Sequence, residues 1–117
     1  MRYFAGVMFP LEALSAAIAA RTVIWARLAL RWQTGQVQPN HDKPVASAVL
    51  ESSAWLVEVM IWGTREAELA TVRLADDRIV NSHYDLSSRD DLEAPLDELV
   101  GLLAANTVPG AAVVACG

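Results

Sequence analysis

The chain has 117 residues, of which 54% are hydrophobic, and a formal net charge of −5. This length suits one domain, 1–117, and the negative charge argues against nucleic acid or an anionic membrane as a direct partner, because both would repel it. Its single cysteine, Cys116, excludes an internal disulfide and a cysteine-rich metal site and favours a reducing, cytoplasmic compartment.

The first predicted element is a helix over residues 10–26. Pro10 suits the first helical position, where its missing N–H costs no hydrogen bond. Leu14, Ile18 and Trp25 then recur at helical spacing along one face. We expect this face to pack on the rest of the domain.

Short strands are predicted within residues 28–85, where the apolar pattern has a period of two. The clearest is the run from Trp55 to Trp62, which ends at the turn signal Gly63-Thr64. Val45, Ser47 and Val49 alternate with Ala46, Ala48 and Leu50, and this largely apolar pattern on both sides predicts a strand that is covered on both faces. Turn signals recur about every ten residues, which is typical of an antiparallel meander of about five strands.

A second helix is predicted over about 88–104, followed by an apolar tail at 106–117. Ser87 and Ser88 offer N-cap oxygens, and Asp90 and Asp91 follow three residues later, a spacing like that of a capping box with Asp in place of Glu. Pro95 conflicts with an uninterrupted helix, so either a short turn at 88–92 leads into a helix that starts near Pro95, or the helix is kinked there. The tail either adds a strand or trails off.

These elements predict an α+β fold, in which an N-terminal helix, a meander sheet and a C-terminal helix follow one another. Both helices should pack on a single face of the sheet, because each has one apolar stripe to bury. The residues expected in this core include Leu14, Ile18, Leu96, Leu99 and Leu103.

The inventory of reactive side chains predicts no enzyme, no cofactor and no metal site. His83 and Asp85 lie two apart on the last predicted strand, hence on one face, and could begin a general-base pair. No nucleophile accompanies them, so we interpret them as a polar strand end. His41-Asp42 could supply metal ligands, but two distant histidines without cysteines make a weak site.

A binding surface is the better-supported prediction. Trp55 and Trp62 are seven residues apart on one strand, so one of them should point away from the helix-covered core. Exposed tryptophans are common anchors of protein interfaces, and carboxylates attract basic partners. A solvated acidic face is the alternative for these carboxylates, and packing in the core or at a sheet edge is the alternative for both tryptophans. The candidate partner-binding residues are Trp62, Glu66, Glu68, Asp85 and Glu58.

Four segments resemble the TriTu family of immunity proteins from bacterial polymorphic-toxin systems. They are residues 38–52 (QPNHDKPVASAVLES), the run from Trp55 to Gly63, Ala67-Glu-Leu, and residues 81–86 (NSHYDL), and the resemblance spans about residues 11–104. It implies a cytoplasmic protein that binds a cognate toxin, an ADP-ribosyltransferase, and occludes its active site by steric and electrostatic blocking. Such a protein would be a monomer or weak dimer when free.

Two alternatives stay open. A secretion chaperone or adaptor would bind an effector protein without inhibiting it, and could have the same size and acidic surface. A small-ligand-binding or enzymatic domain would need a concave sheet with His83 and Asp85 pointing into a cleft, and a flat exposed position of His83 would argue against it.

Overall fold

The structure is a computed structural model that describes residues 9–35, 44–110 and 112–116, the side chain of Cys116 excepted. His41 and Asp42, considered above as metal ligands, lie outside these residues. Within them, no helix combines the length and hydrophobicity that crossing a membrane requires.

In the described part of the chain, six strands form one antiparallel sheet in the order β1-β2-β3-β4-β5-β6. The elements are α1 (Glu12–Ala19), α2 (Thr22–Arg27), β1 (Arg31–Thr34), β2 (Val45–Glu51), β3 (Trp55–Trp62), β4 (Glu66–Arg73), β5 (Arg78–Asp85), a 3₁₀ turn (Arg89–Leu92), α3 (Glu93–Ala105) and β6 (Val113–Cys116). The predicted α+β meander is confirmed. The number of strands is corrected from about five to six, because the apolar tail pairs with β5.

The single predicted helix over 10–26 is wrong, because the chain forms two short helices. In a continuous helix the carbonyl of Ile18 would accept a hydrogen bond from the N–H of Thr22. It accepts instead from the N–H of Arg21 at 3.1 Å and from the indole Nε1–H of Trp25 at 2.8 Å. The turn at Arg21 lets Trp25 fold back into the core, where its side chain is fully buried.

At the C-terminal helix, the structure adopts the first alternative for Pro95. The 3₁₀ turn is followed by α3, and Pro95 is the third residue of that helix, where a missing N–H removes no intrahelical bond. Of the two serine–aspartate pairs that the sequence offered, Ser88 and Asp91 form the capping box, with the Asp91 carboxylate 3.1 Å from the backbone N of Ser88. The helix ends at Asn106, whose φ of 56° is the left-handed conformation that asparagine tolerates.

The helices pack on one face of the sheet, as predicted, and this face holds the core. All the predicted core residues are buried there: Leu14, Ile18, Leu96, Leu99 and Leu103. A charged contact fixes the two helical segments to each other. The buried Arg21 guanidinium lies 2.8 Å from the Glu93 carboxylate and 3.2 Å from that of Asp97, both on α3.

The prediction that β2 is covered on both faces is wrong. Ala46, Ala48 and Leu50 are buried beneath the helices, whereas Val45 is half-buried and Val49 is 37% exposed on the opposite side. The reason is that no described helix packs against that opposite side. We call the helix-covered side the inner face and the other side the outer face.

Candidate protein-binding face

The outer face is formed by alternate residues of adjacent strands. Its central part consists of Leu56, Glu58, Met60 and Trp62 on β3, Glu66, Glu68, Ala70 and Val72 on β4, and Ile79, Asn81, His83 and Asp85 on β5. The position of each side chain follows from the period of two in the sequence, because the inner residues of the same strands are the buried apolar ones.

All the predicted partner-binding residues lie together on this outer face. Glu66 is opposite Asp85 in the β4–β5 register, and Glu68 is opposite both Met60 and His83. Glu58 faces Ala70 and is therefore the diagonal neighbour of Glu68. Residues from three strands thus form one acidic surface.

The two tryptophans of β3 point to opposite faces, as predicted. Trp55 packs against the buried core. Trp62 is on the outer face beside Glu66, to which it is connected by the β3–β4 turn. Its side chain is half-buried, so it offers part of its ring surface to a partner.

His83 lies between two carboxylates on the outer face. Its Nδ1 is 3.4 Å from Glu68 Oε2 and its Nε2 is 3.4 Å from Asp85 Oδ1. These distances exceed the 2.7–2.9 Å that is usual for a charge-assisted hydrogen bond. With 49% of the His83 side chain exposed, these three side chains form an open polar cluster.

A hollow of about 400 Å³ opens on the outer face where β3, β4, β5 and β6 meet. Its side-chain lining from this face consists of Glu58, Met60, Glu68, Ala70, Asn81, His83 and Val113. The position of Asn81 beside His83 could have been predicted from sequence, because alternate residues of β5 share one face. The contribution of Val113 could not be predicted, because the register between β5 and β6 carries no sequence signal.

One end of the outer face is apolar, a feature that sequence analysis missed. Leu56, Val72 and Ile79 lie side by side across β3, β4 and β5. Leu56 is 40% exposed, and Val113 on the edge strand is 68% exposed. Exposed apolar side chains that adjoin a charged area are typical of surfaces that bind another protein.

The outer face is electrostatically one-sided. Among the described strand residues, Arg31 is its only arginine or lysine, and the Arg31 guanidinium is 3.3 Å from the Glu51 carboxylate. Arg73 and Arg78 belong to the inner side of their strands and bond to Asn106. The carboxylates around the hollow are therefore not neutralised by a described permanent cation.

Among the described residues, the two groups with a shifted pKa lie outside this face. The hydrogen bond from Arg73 lowers the pKa of Asp76, in the β4–β5 turn, to about 2. Burial, together with the hydrogen bond that its hydroxyl donates to Glu98 at 2.7 Å, raises the pKa of Tyr84 to about 12.

Comparison with known proteins found no match to a protein-family model, to a curated protein or to a solved structure. The resemblance to immunity proteins therefore stays a prediction. In the described part of the chain, no group of three or more histidine, cysteine, aspartate or glutamate side chains is placed to hold a metal ion.

Proposed function

We propose that this protein is an immunity protein, which binds a cognate toxin through its outer face and blocks the toxin's active site. The observation that carries the proposal is that Trp62 and the predicted carboxylates converge on the side of the sheet that no described helix covers. The protein acts by occlusion in the cytoplasm and supplies no chemistry of its own.

The charge of the outer face favours a basic partner surface. Glu58, Glu66 and Glu68 project from neighbouring strands, and Asp85 extends the same acidic area. Complementary charge accelerates association and fixes the orientation of the complex, whereas like charge rejects wrong partners. A toxin whose substrate pocket is rimmed by lysines and arginines would meet this surface.

The rigidity of the outer face supports inhibition by occlusion. Its strands are hydrogen-bonded in one continuous sheet, and their inner residues are fixed in the core by the helices. A preformed surface loses little conformational entropy on binding, which favours the tight complexes that inhibition requires. The toxin class, an ADP-ribosyltransferase, is proposed from the family resemblance alone.

The test is co-expression of this protein with the product of its upstream neighbouring gene in a sensitive bacterium. We expect the neighbour to stop growth when expressed alone, and this protein to restore growth and to co-purify with the toxin. Glu68→Lys should abolish the rescue. Glu12→Lys, which makes the same charge change at an exposed position of α1 on the helix side, should retain it.

The other outcomes of this test are equally informative. A neighbour that is harmless alone, or that kills equally with this protein present, would contradict the immunity proposal. A stable complex without rescue would contradict it too and would instead favour the secretion chaperone. A loss of rescue with Glu12→Lys but not with Glu68→Lys would contradict the assignment of the outer face.

A further inference from the structure

We propose that the hollow on the outer face is a receptor for one arginine side chain of the protein partner. This inference rests on the proposed function in requiring a protein partner, but it concerns a different observable, namely which side chain enters the hollow. The hollow would thus be the one position on the acidic surface where a side chain of the partner is anchored.

Two carboxylates face the hollow and are available to a cation. Glu58 has no hydrogen-bond or ion-pair partner among the described residues. Among the described residues, the Glu68 carboxylate has a polar contact only through Oε2, at 3.4 Å from His83 Nδ1. Diagonal neighbours on adjacent antiparallel strands have Cα atoms roughly 7–8 Å apart, so flexible glutamates can close on one guanidinium between them.

The shape of the hollow distinguishes it from a simple cluster of acidic residues. Ala70 lies between Glu58 and Asn81 in the strand register, and its methyl group leaves the space that a longer side chain would fill. Met60 and Val113 supply apolar walls. An arginine side chain has the matching structure, with an apolar stem and a charged planar end.

The chemistry of the lining favours arginine over lysine and over anionic ligands. A guanidinium presents five N–H donors in a fixed plane and is weakly hydrated, so it can bond to two carboxylates and to the amide oxygen of Asn81 at once. An ammonium group is a compact, strongly hydrated point charge. A phosphate or carboxylate ligand would be repelled by Glu58 and Glu68.

The direct test uses N-acetyl-arginine amide as a probe of the free protein, followed by NMR. We expect the largest chemical-shift changes at the Asn81 side-chain amide and the Met60 methyl group, with saturation as the probe is added. N-acetyl-citrulline amide, the neutral isostere, should cause no comparable change. An equal response to N-acetyl-lysine amide, or shifts spread evenly over distant carboxylates such as Asp77, would overturn the inference.

A pair of variants tests whether probe binding requires the space of the hollow in addition to its charge. Ala70→Leu fills the hollow and keeps every carboxylate, so it should weaken probe binding about tenfold, as a loss of about 1.4 kcal/mol implies. The matched control is Ala115→Leu, the same substitution on the outer face of β6. Ala115 is opposite Ile79 and does not line the hollow, so this variant should bind the probe normally. Unchanged binding by Ala70→Leu would contradict the proposed receptor.

The failure of this inference can be distinguished from that of the proposed function. If the toxin binds wild type and the Glu58→Gln/Glu68→Gln double variant equally well, the arginine receptor is wrong while inhibition stands. If the probe enters the hollow but the neighbouring gene product does not bind, the immunity proposal is wrong while the receptor stands. Retained secondary structure by circular dichroism verifies that each variant is folded.

Discussion

The inner and outer faces of the sheet come from the same strands and differ in almost every other respect. On β3 the inner residues Val57, Val59 and Ile61 have at most 1% of their surface exposed, whereas Leu56 on the outer face is 40% exposed. The inner face is apolar and covered by helices. The outer face combines carboxylates, a half-buried tryptophan and exposed aliphatic side chains.

This difference separates what holds the fold together from what is available to a partner. Burial of the inner side chains supplies the hydrophobic free energy of folding. The outer side chains contribute less of it, so they can carry charge and exposed apolar surface without preventing folding. A substitution should therefore affect stability or binding according to the face on which it lies.

The largest expected effect is on stability, from Ile61→Ala on the inner face. Ile61 is fully buried, so its truncation removes apolar contacts and leaves a cavity, at a cost of roughly 2–5 kcal/mol in the free energy of unfolding. Leu56→Ala on the outer face of the same strand should cost under about 1 kcal/mol. Urea unfolding measures both, and equal costs would contradict the one-sided core.

The next effect is on binding, from Trp62→Ala. Truncation of a tryptophan that anchors an interface costs roughly 2–4 kcal/mol of affinity, so the Kd for the toxin should rise by about 30-fold or more. Calorimetric titration measures this change, with Val23→Ala on the exposed side of α2 as the control. An unchanged Kd for Trp62→Ala would exclude this residue as an anchor.

A smaller effect on stability is expected from the ion pairs that link the helical segments. Glu93→Gln/Asp97→Asn leaves the buried Arg21 charge without its carboxylates and should lower the free energy of unfolding by about 2 kcal/mol. The loss is smaller than for a fully buried ion pair because both carboxylates are largely exposed to water. Arg21→Met removes the buried charge itself and should cost less. Thermal unfolding measures the loss of stability in both variants. A larger loss for Arg21→Met than for the double variant would contradict this expectation.

The smallest expected effect is the pH dependence of stability that Tyr84 contributes. Its pKa of about 12 in the folded protein lies above the value of 10.0 for an unperturbed tyrosine, so the folded state retains the phenolic proton more tightly. The associated stabilisation is complete below pH 10 and is lost as the pH rises from 10 to about 12. Tyr84→Phe should unfold with a shallower pH dependence in that range, and an identical dependence would contradict the assignment.

Local patterns in the sequence were sufficient to predict most of the sheet. The bounds of β3, the capping box at Ser88 and the shared face of His83 and Asp85 all follow from alternation or from short-range hydrogen bonding. For the same reason, the predicted binding residues could be assigned to one face without knowledge of the fold.

The features that depend on distant contacts could not be predicted. The break between α1 and α2 depends on Trp25 folding back to donate to Ile18. The hollow depends on the small Ala70 meeting Asn81 from β5 and Val113 from β6, and the register that unites them is a property of the assembled sheet. Sequence therefore identified the carboxylates but not the space between them.

The most direct test of the outer face is NMR of the methyl groups while purified toxin is added. Leu56, Val49 and Met60 report on the outer face, and Val23, which is 65% exposed on α2, reports on the helix side. The account predicts shift changes or broadening of the outer-face methyl signals at stoichiometric toxin, with the Val23 signals unchanged. Changes at Val23 with unaffected outer-face methyl groups would contradict the claim that this uncovered side of the sheet is the binding surface.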